Sequence, residues 1–190
     1  MKDEAEKLMS SARIRKVLQQ GKNPKLQENI GFYTNYAAFV LRVLRKPRFQ
    51  NFLKWMMKRE EIDDNMVEEV RVMILPYCKE NGKSLVGKWD GEGQISIYPK
   101  KAQLLRNLAK KFDARMARFY VKCRARAALI HEILHTKYRS NEDEVRRLTK
   151  KYFHIFLRNH KTENANKNVV FSILFKNQSF AADSIVNRAS

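Results

Sequence analysis

Cysteine is almost missing from this 190-residue chain: Cys78 and Cys123 stand 45 residues apart, and no CxxC pair occurs. That reads as two buried single thiols of a cytoplasmic protein rather than a disulfide framework. With 4 Pro and 6 Gly, collagen-like and low-complexity classes are excluded as well. Apolar runs are short, such as Tyr36-Ala37-Ala38-Phe39-Val40-Leu41. A membrane-spanning helix needs roughly 20 such residues, so no span is expected. Lys2, Asp3, Glu4, Glu6 and Lys7 open the chain where a secretory signal would need an apolar core, so none is read. Acidic residues are scarce too, 20 against 39 Lys and Arg, for a net charge of +19. Such an excess draws a protein toward polyanions and says nothing about chemistry.

What is present is helix-rich and globular, with 44% hydrophobic residues. Residues 3–20 carry Leu8, Ala12, Ile14, Val17 and Leu18 at mostly helical spacing, and Gly21-Lys22-Asn23-Pro24 supplies a stop. Residues 26–58 continue as helix through Phe32, Tyr36, Phe39, Val40, Val43 and Leu44, break at Pro47, and resume through Phe52, Leu53, Trp55 and Met56. The acidic stretch Glu61-Ile62-Asp63-Asp64-Asn65 marks a change of texture, and strands are predicted at 70–77, 85–89 and 94–98. Asp90-Gly91-Glu92-Gly93 joins the last two as a hairpin. Helix returns after Pro99: one stripe holds Leu104, Leu105, Leu108 and Phe112, and a longer one runs from Phe119 to Leu134. Ser140-Asn141 caps a further helix through Val145, Leu148, Tyr152 and Phe156. The expected class is α+β in three parts: a basic helical N-terminal module (1–60), a sheet-and-helix region (61–160), and a polar linker with an apolar tail (161–190), whose block at 169–175 has no assignable state.

The chemistry is concentrated in His131-Glu132-Ile133-Leu134-His135, an HExxH sequence on the longest predicted helix. Positions i and i+4 share a helix face, so both imidazoles can converge on one metal ion while the intervening Glu132 turns toward an open coordination position. Zinc suits this donor set, one ion per chain, because two imidazoles and a carboxylate leave a fourth tetrahedral position for a water. Two carboxylates lie downstream in Ser140-Asn141-Glu142-Asp143-Glu144-Val145. The pattern resembles the zincin metallopeptidases, and among them the gluzincins, whose third ligand is a downstream Glu. The connector of eight residues between His135 and Glu144 is similar to that of the compact archaeal minigluzincins. The resemblance implies zinc held by His131, His135 and Glu144, with Glu142 the second choice and His154 a third, and Glu132 as general base against a peptide or protein substrate. It further implies a zincin-like domain over 61–160 with a small, mostly antiparallel sheet. Residues 94–98 would then be the edge strand that pairs with extended substrate. Tyr138, Arg139 and Tyr152 are the available oxyanion donors. Lys137 departs from the family, which carries an apolar residue two positions after the second His.

Arg42, Arg45, Lys46, Arg48, Lys54, Lys58 and Arg59 interleave with Phe49, Phe52 and Trp55, as on many nucleic-acid-binding surfaces. Lys110, Lys111, Arg115, Arg118, Lys122, Arg124 and Arg126 extend the positive character. Nucleic acid is therefore an expected partner through the basic surface. The rival functional class is a basic helical module that binds nucleic acid or a protein partner without turnover, with a structural or vestigial metal site.

Overall fold

The computed structural model describes residues 14–18, 28–77, 85–158 and 164–176. The turn expected at 21–24, Cys78, Asn81-Gly82 and the chain after 176 lie outside the described residues, as do positions 3–13 of the first expected helix. Among the described residues ten helices and strands follow one another: β1 (Ile14–Val17), α1 (Ile30–Leu44), α2 (Pro47–Arg59), β2 (Glu69–Met73), β3 (Gly87–Trp89), β4 (Gln94–Ile97), α3 (Ala102–Lys111), α4 (Ala114–Tyr138), α5 (Glu142–Arg158) and α6 (Asn164–Lys176). A single 3-10 turn, Asp64–Met66, precedes β2. The class is α+β, a four-stranded mixed sheet among six helices.

Strand order is β1-β2-β4-β3, with β1 parallel to β2, β2 parallel to β4, and only the β3–β4 hairpin antiparallel. Two expectations are corrected here. Residues 14–17 form a strand rather than part of a helix, and the sheet is mostly parallel. Ile14 is fully buried and stands opposite Val70 in the ladder, and the amide of Ile74 donates to the Val17 carbonyl at 2.9 Å. On the outer side Arg15 pairs with Glu69, while Arg45 of the α1–α2 corner donates to the Ile14 carbonyl at 2.5 Å. A four-residue segment with β-branched ends has weak helical preference, so pairing with β2 decides its state. The hairpin forms as expected: Asp90 Oδ1 accepts from the amides of Glu92 and Gln94, and Gly91 and Gly93 take φ of 89° and 97°.

Pro47 separates α1 from α2 and occupies the first turn of α2, where its missing N–H costs nothing. α1 buries Tyr33, Tyr36, Ala37, Val40, Val43 and Leu44 on one face, and α2 buries Phe49, Leu53, Met56 and Met57. All of these but Val43 share one core with Ile95 and Ile97 of the sheet, Leu129 and Ile130 of α4, Tyr152 and Phe153 of α5, and Val170 and Leu174 of α6. The apolar block at 169–175 is thus part of a helix that packs into this core. α4 runs through the centre and is buried all round from Cys123 to Thr136, the pattern of a helix enclosed by other elements. Arg124 and Arg126 belong to that buried stretch rather than to the basic surface. Arg124 donates to the Tyr98 carbonyl at 2.7 Å, and Arg126 stacks on Phe49 and Phe156.

Glu60, just past α2, accepts hydrogen bonds from the hydroxyls of Tyr138 and Tyr152 and so ties α2 to the ends of α4 and α5. Partial burial raises its pKa, but the two phenols, Lys151 and Lys137 outweigh this and hold the carboxyl below the ordinary glutamate value of 4.5. The stabilisation this implies is present above that value and lost as pH falls through the lowered folded pKa. Glu60→Gln should therefore flatten the acid limb of a stability-versus-pH curve followed by circular dichroism. Ile14→Ala should cost about 2–5 kcal/mol in a urea melt, as for a filled core position; an undocked segment would show no change.

Candidate metal centre

The last turns of α4 place His131 and His135 on one face, as their i, i+4 spacing requires. Arg139 then turns sharply, with φ of 46°, while its amide closes onto the His135 carbonyl at 2.9 Å. Asn141 starts the next helix, its Oδ1 accepting from the Glu144 amide at 3.2 Å. The reversal is so tight that Glu142, the first residue of α5, comes back over the final turn of α4. Its Oε2 lies 3.2 Å from His135 Nε2, its Oε1 3.6 Å from His131 Nε2, and the two Nε2 atoms are 3.1 Å apart. Donors about 2.0–2.1 Å from a tetrahedral zinc sit about 3.3 Å from one another, so this triangle has the dimensions of such a site. Among the described residues, His131, His135 and Glu142 are the group of three that could hold a metal ion.

The outer contacts orient these donors. His135 Nδ1 lies 2.6 Å from the Arg139 carbonyl. A carbonyl only accepts, so Nδ1 carries the hydrogen, and Nε2 is left on the Glu142 side as the nitrogen that can hold either a proton or a metal ion. His131 Nδ1 lies 3.2 Å from Thr149 Oγ1, which can accept in the same way. Two imidazole lone pairs at 3.1 Å repel unless a cation or proton lies between them. Burial, with His135 and Arg146 nearby, pushes the His131 pKa down to about 3, which keeps this ring neutral and ready to ligate. Burial also pulls His135 down, but its hydrogen bond to Glu142, the Glu132 charge and the Arg139 carbonyl together lift it above the ordinary value. Arg146 Nε donates to Glu142 Oε1 at 2.8 Å and fixes the carboxylate from behind.

Glu132 is 4% exposed, and its Oε2 accepts from the Trp89 amide of β3 at 2.9 Å. Burial pushes its pKa up to about 7, although His135 and the Trp89 amide oppose the shift. Gly87 makes this approach feasible: a Cβ there would lie 2.6 Å from Glu132 Oε1. The hairpin bonds from the Asp90 amide to Gln94 and from the Tyr98 amide to Val86 turn even-numbered residues toward β4. Gly87 and Trp89 therefore direct their backbone groups to the outer edge, where Glu132 sits.

Of the residues expected from sequence, His131, His135 and Glu132 come together. Glu144, the favoured third ligand, does not: it forms a two-point pair with Arg147 at 2.5 and 2.7 Å, and Glu142 takes the place beside the histidines. His154 is exposed and contacts Phe171. Tyr138 and Tyr152 are engaged by Glu60, and Arg139 serves through its carbonyl, so none of the three presents a donor to the centre. Lys137 reaches the Glu60 carbonyl and stays with the end of α2. The strand beside Glu132 is β3, not 94–98, because β4 lies between β2 and β3. Thr149, Arg146, Gly87 and Trp89 were missed, since no local pattern in the sequence marks a partner supplied by another element.

Thr149→Val keeps the shape of the side chain but removes the acceptor for His131, and it should weaken zinc binding about 10- to 100-fold in a chelator competition. His154→Ala should leave the affinity unchanged in the same assay.

No helix among the described residues is long and apolar enough to cross a membrane. No family model, curated protein or solved structure matches this chain, so a functional reading has to rest on the donor triangle and the strand beside it.

Proposed function

We propose that the protein is a zinc-dependent peptidase of the type its HExxH sequence resembles, with His131, His135 and Glu142 as metal ligands and Glu132 as general base. The single observation that carries this is the juxtaposition of the donor triangle with the buried Glu132 carboxyl, held against the edge of β3 by the Trp89 amide. A structural metal needs ligands only; a neighbouring carboxyl poised near neutrality is what proton transfer needs. A bound zinc would supply a polarised water whose pKa falls toward about 7.

Within this reading Glu132 takes the proton of the attacking water and later returns it to the leaving amine. His131 and His135 would ligate as neutral imidazoles, oriented by Thr149 and Arg139. The outer edge of β3 is the surface on which an extended peptide would add as a further strand, giving main-chain affinity with little side-chain selectivity. The Trp89 amide is already bonded to Glu132, so peptide pairing at that position and release of the Glu132 carboxylate are one event. Glu132 is held against the strand until substrate competes for the same N–H.

Glu132→Gln should keep one zinc per chain yet lower cleavage of an unstructured peptide pool by at least about a hundredfold, read by mass spectrometry of new termini. Equal cleavage by both proteins, or none by zinc-loaded wild type, would favour a structural metal. Gly87→Ala should also lower cleavage with zinc retained, because the added methyl displaces the Glu132 carboxyl.

A further inference from the structure

Away from the metal centre, α1, α3 and the first turns of α4 enclose an open groove of about 620 Å³, within the range of roughly 300–1,000 Å³ typical of ligand sites. Its floor is apolar and aromatic, built from Phe32, Tyr36 and Phe39 of α1 with Leu105 and Val121 opposite. Phe32 is 37% exposed, a large apolar ring left in solvent at the groove mouth. The Tyr36 hydroxyl is buried and finds no hydrogen-bond partner among the described residues. The rim is cationic. Arg42 comes from α1, Arg106 from α3 and Arg118 from α4, all three exposed, and among the described residues no carboxylate lines the groove. Lys122 adds a fourth cation, its ammonium 5.8 Å from the Phe39 ring.

We infer that this groove is a binding site for single-stranded nucleic acid, with bases lying on the aromatic floor and phosphates on the guanidinium rim. The cations come from three different helices and surround the floor. A strand, which carries one charge per nucleotide, can engage all of them, whereas a fatty acid with a single terminal carboxylate satisfies one. A duplex has its base faces stacked inside and gains nothing from Phe32. The unpartnered Tyr36 hydroxyl offers a hydrogen bond to a base edge. Of the cation and aromatic run noted around Pro47, only Arg42 belongs to the groove; Phe49 is buried and Phe52 packs against Phe156. The inference does not depend on hydrolysis: Arg118 and His131 lie about 20 Å apart along α4, at 1.5 Å per residue.

The test is fluorescence anisotropy of the full chain with a labelled oligothymidylate of about 15 nucleotides, across a salt series. The combined variant Arg42→Gln, Arg106→Gln, Arg118→Gln should reduce the slope of log affinity against log salt by about 2, at about 0.7 per phosphate contact. Phe32→Ala, an exposed position that leaves folding intact, should weaken binding about five- to hundredfold. A matched charge removal on α2, Lys54→Gln, Lys58→Gln, Arg59→Gln, should have the smaller effect. Equal losses in both triple variants, no loss in Phe32→Ala, or equal affinity for a duplex of the same length would overturn the proposal. So would binding to phosphatidylglycerol vesicles but not to the oligonucleotide, with that binding lost in the groove variants.

Discussion

The corner between α4 and α5 sets the geometry of the candidate metal centre. Two histidines one turn apart are a partial site on any helix, and the third donor must arrive from elsewhere at a separation of about 3.3 Å. Arg139 accomplishes this by adopting a left-handed backbone, a conformation that costs a non-glycine residue roughly 1 kcal/mol or more. The turn is supported from both sides. The Arg139 amide closes the last turn of α4, and its carbonyl holds His135 in the required tautomer. Asn141 then caps α5, so Glu142 enters at a fixed angle beside both imidazoles. One short connector thus orients one candidate ligand, ends one helix and delivers another candidate ligand.

The second constraint is the close contact of α4 with strand β3. Only a glycine at position 87 leaves room for the Glu132 carboxyl, and only a strand with its edge free lets the Trp89 amide meet it. Burial in that contact pushes the Glu132 pKa up, and the same burial holds His131 neutral. Desolvation thus acts on the two groups in opposite chemical directions. It favours a protonatable base near neutrality and an uncharged ligand, as the proposed chemistry requires. The mostly parallel sheet positions β3 from behind, with β2 and then β1 on the far side of β4.

Local patterns in the sequence carried the parts of the molecule governed by local physics. The spacing of His131 and His135, the break at Pro47, the hairpin at Asp90–Gly93 and the cap at Asn141 depend on residues within a few positions of one another. The choice between Glu142 and Glu144 does not. The two point about 200° apart on a helix, and which one faces the histidines follows from how sharply the chain turns at Arg139. A non-glycine residue gives no warning of that turn. β1 was misread for a similar reason: Leu8, Ala12, Ile14 and Val17 suggest a helical stripe, whereas Ile14 acquires its state from Val70, more than fifty residues away. Strand order is equally silent in sequence, which is why 94–98 looked like an edge and proved internal. Phe49, Arg124 and Arg126 look like surface residues in a basic run, yet Arg126 stacks on Phe49 and Phe156 and Arg124 bonds the Tyr98 carbonyl, all within the core.

The most direct test of the central claim is zinc content per chain, by elemental analysis of metal-loaded and desalted protein, for wild type beside Glu142→Ala and Glu144→Ala. The structure predicts one zinc in wild type and in Glu144→Ala, and a marked loss in Glu142→Ala with the fold intact by circular dichroism. Retention of zinc by Glu142→Ala and its loss from Glu144→Ala, or no uptake by folded wild type, would contradict it.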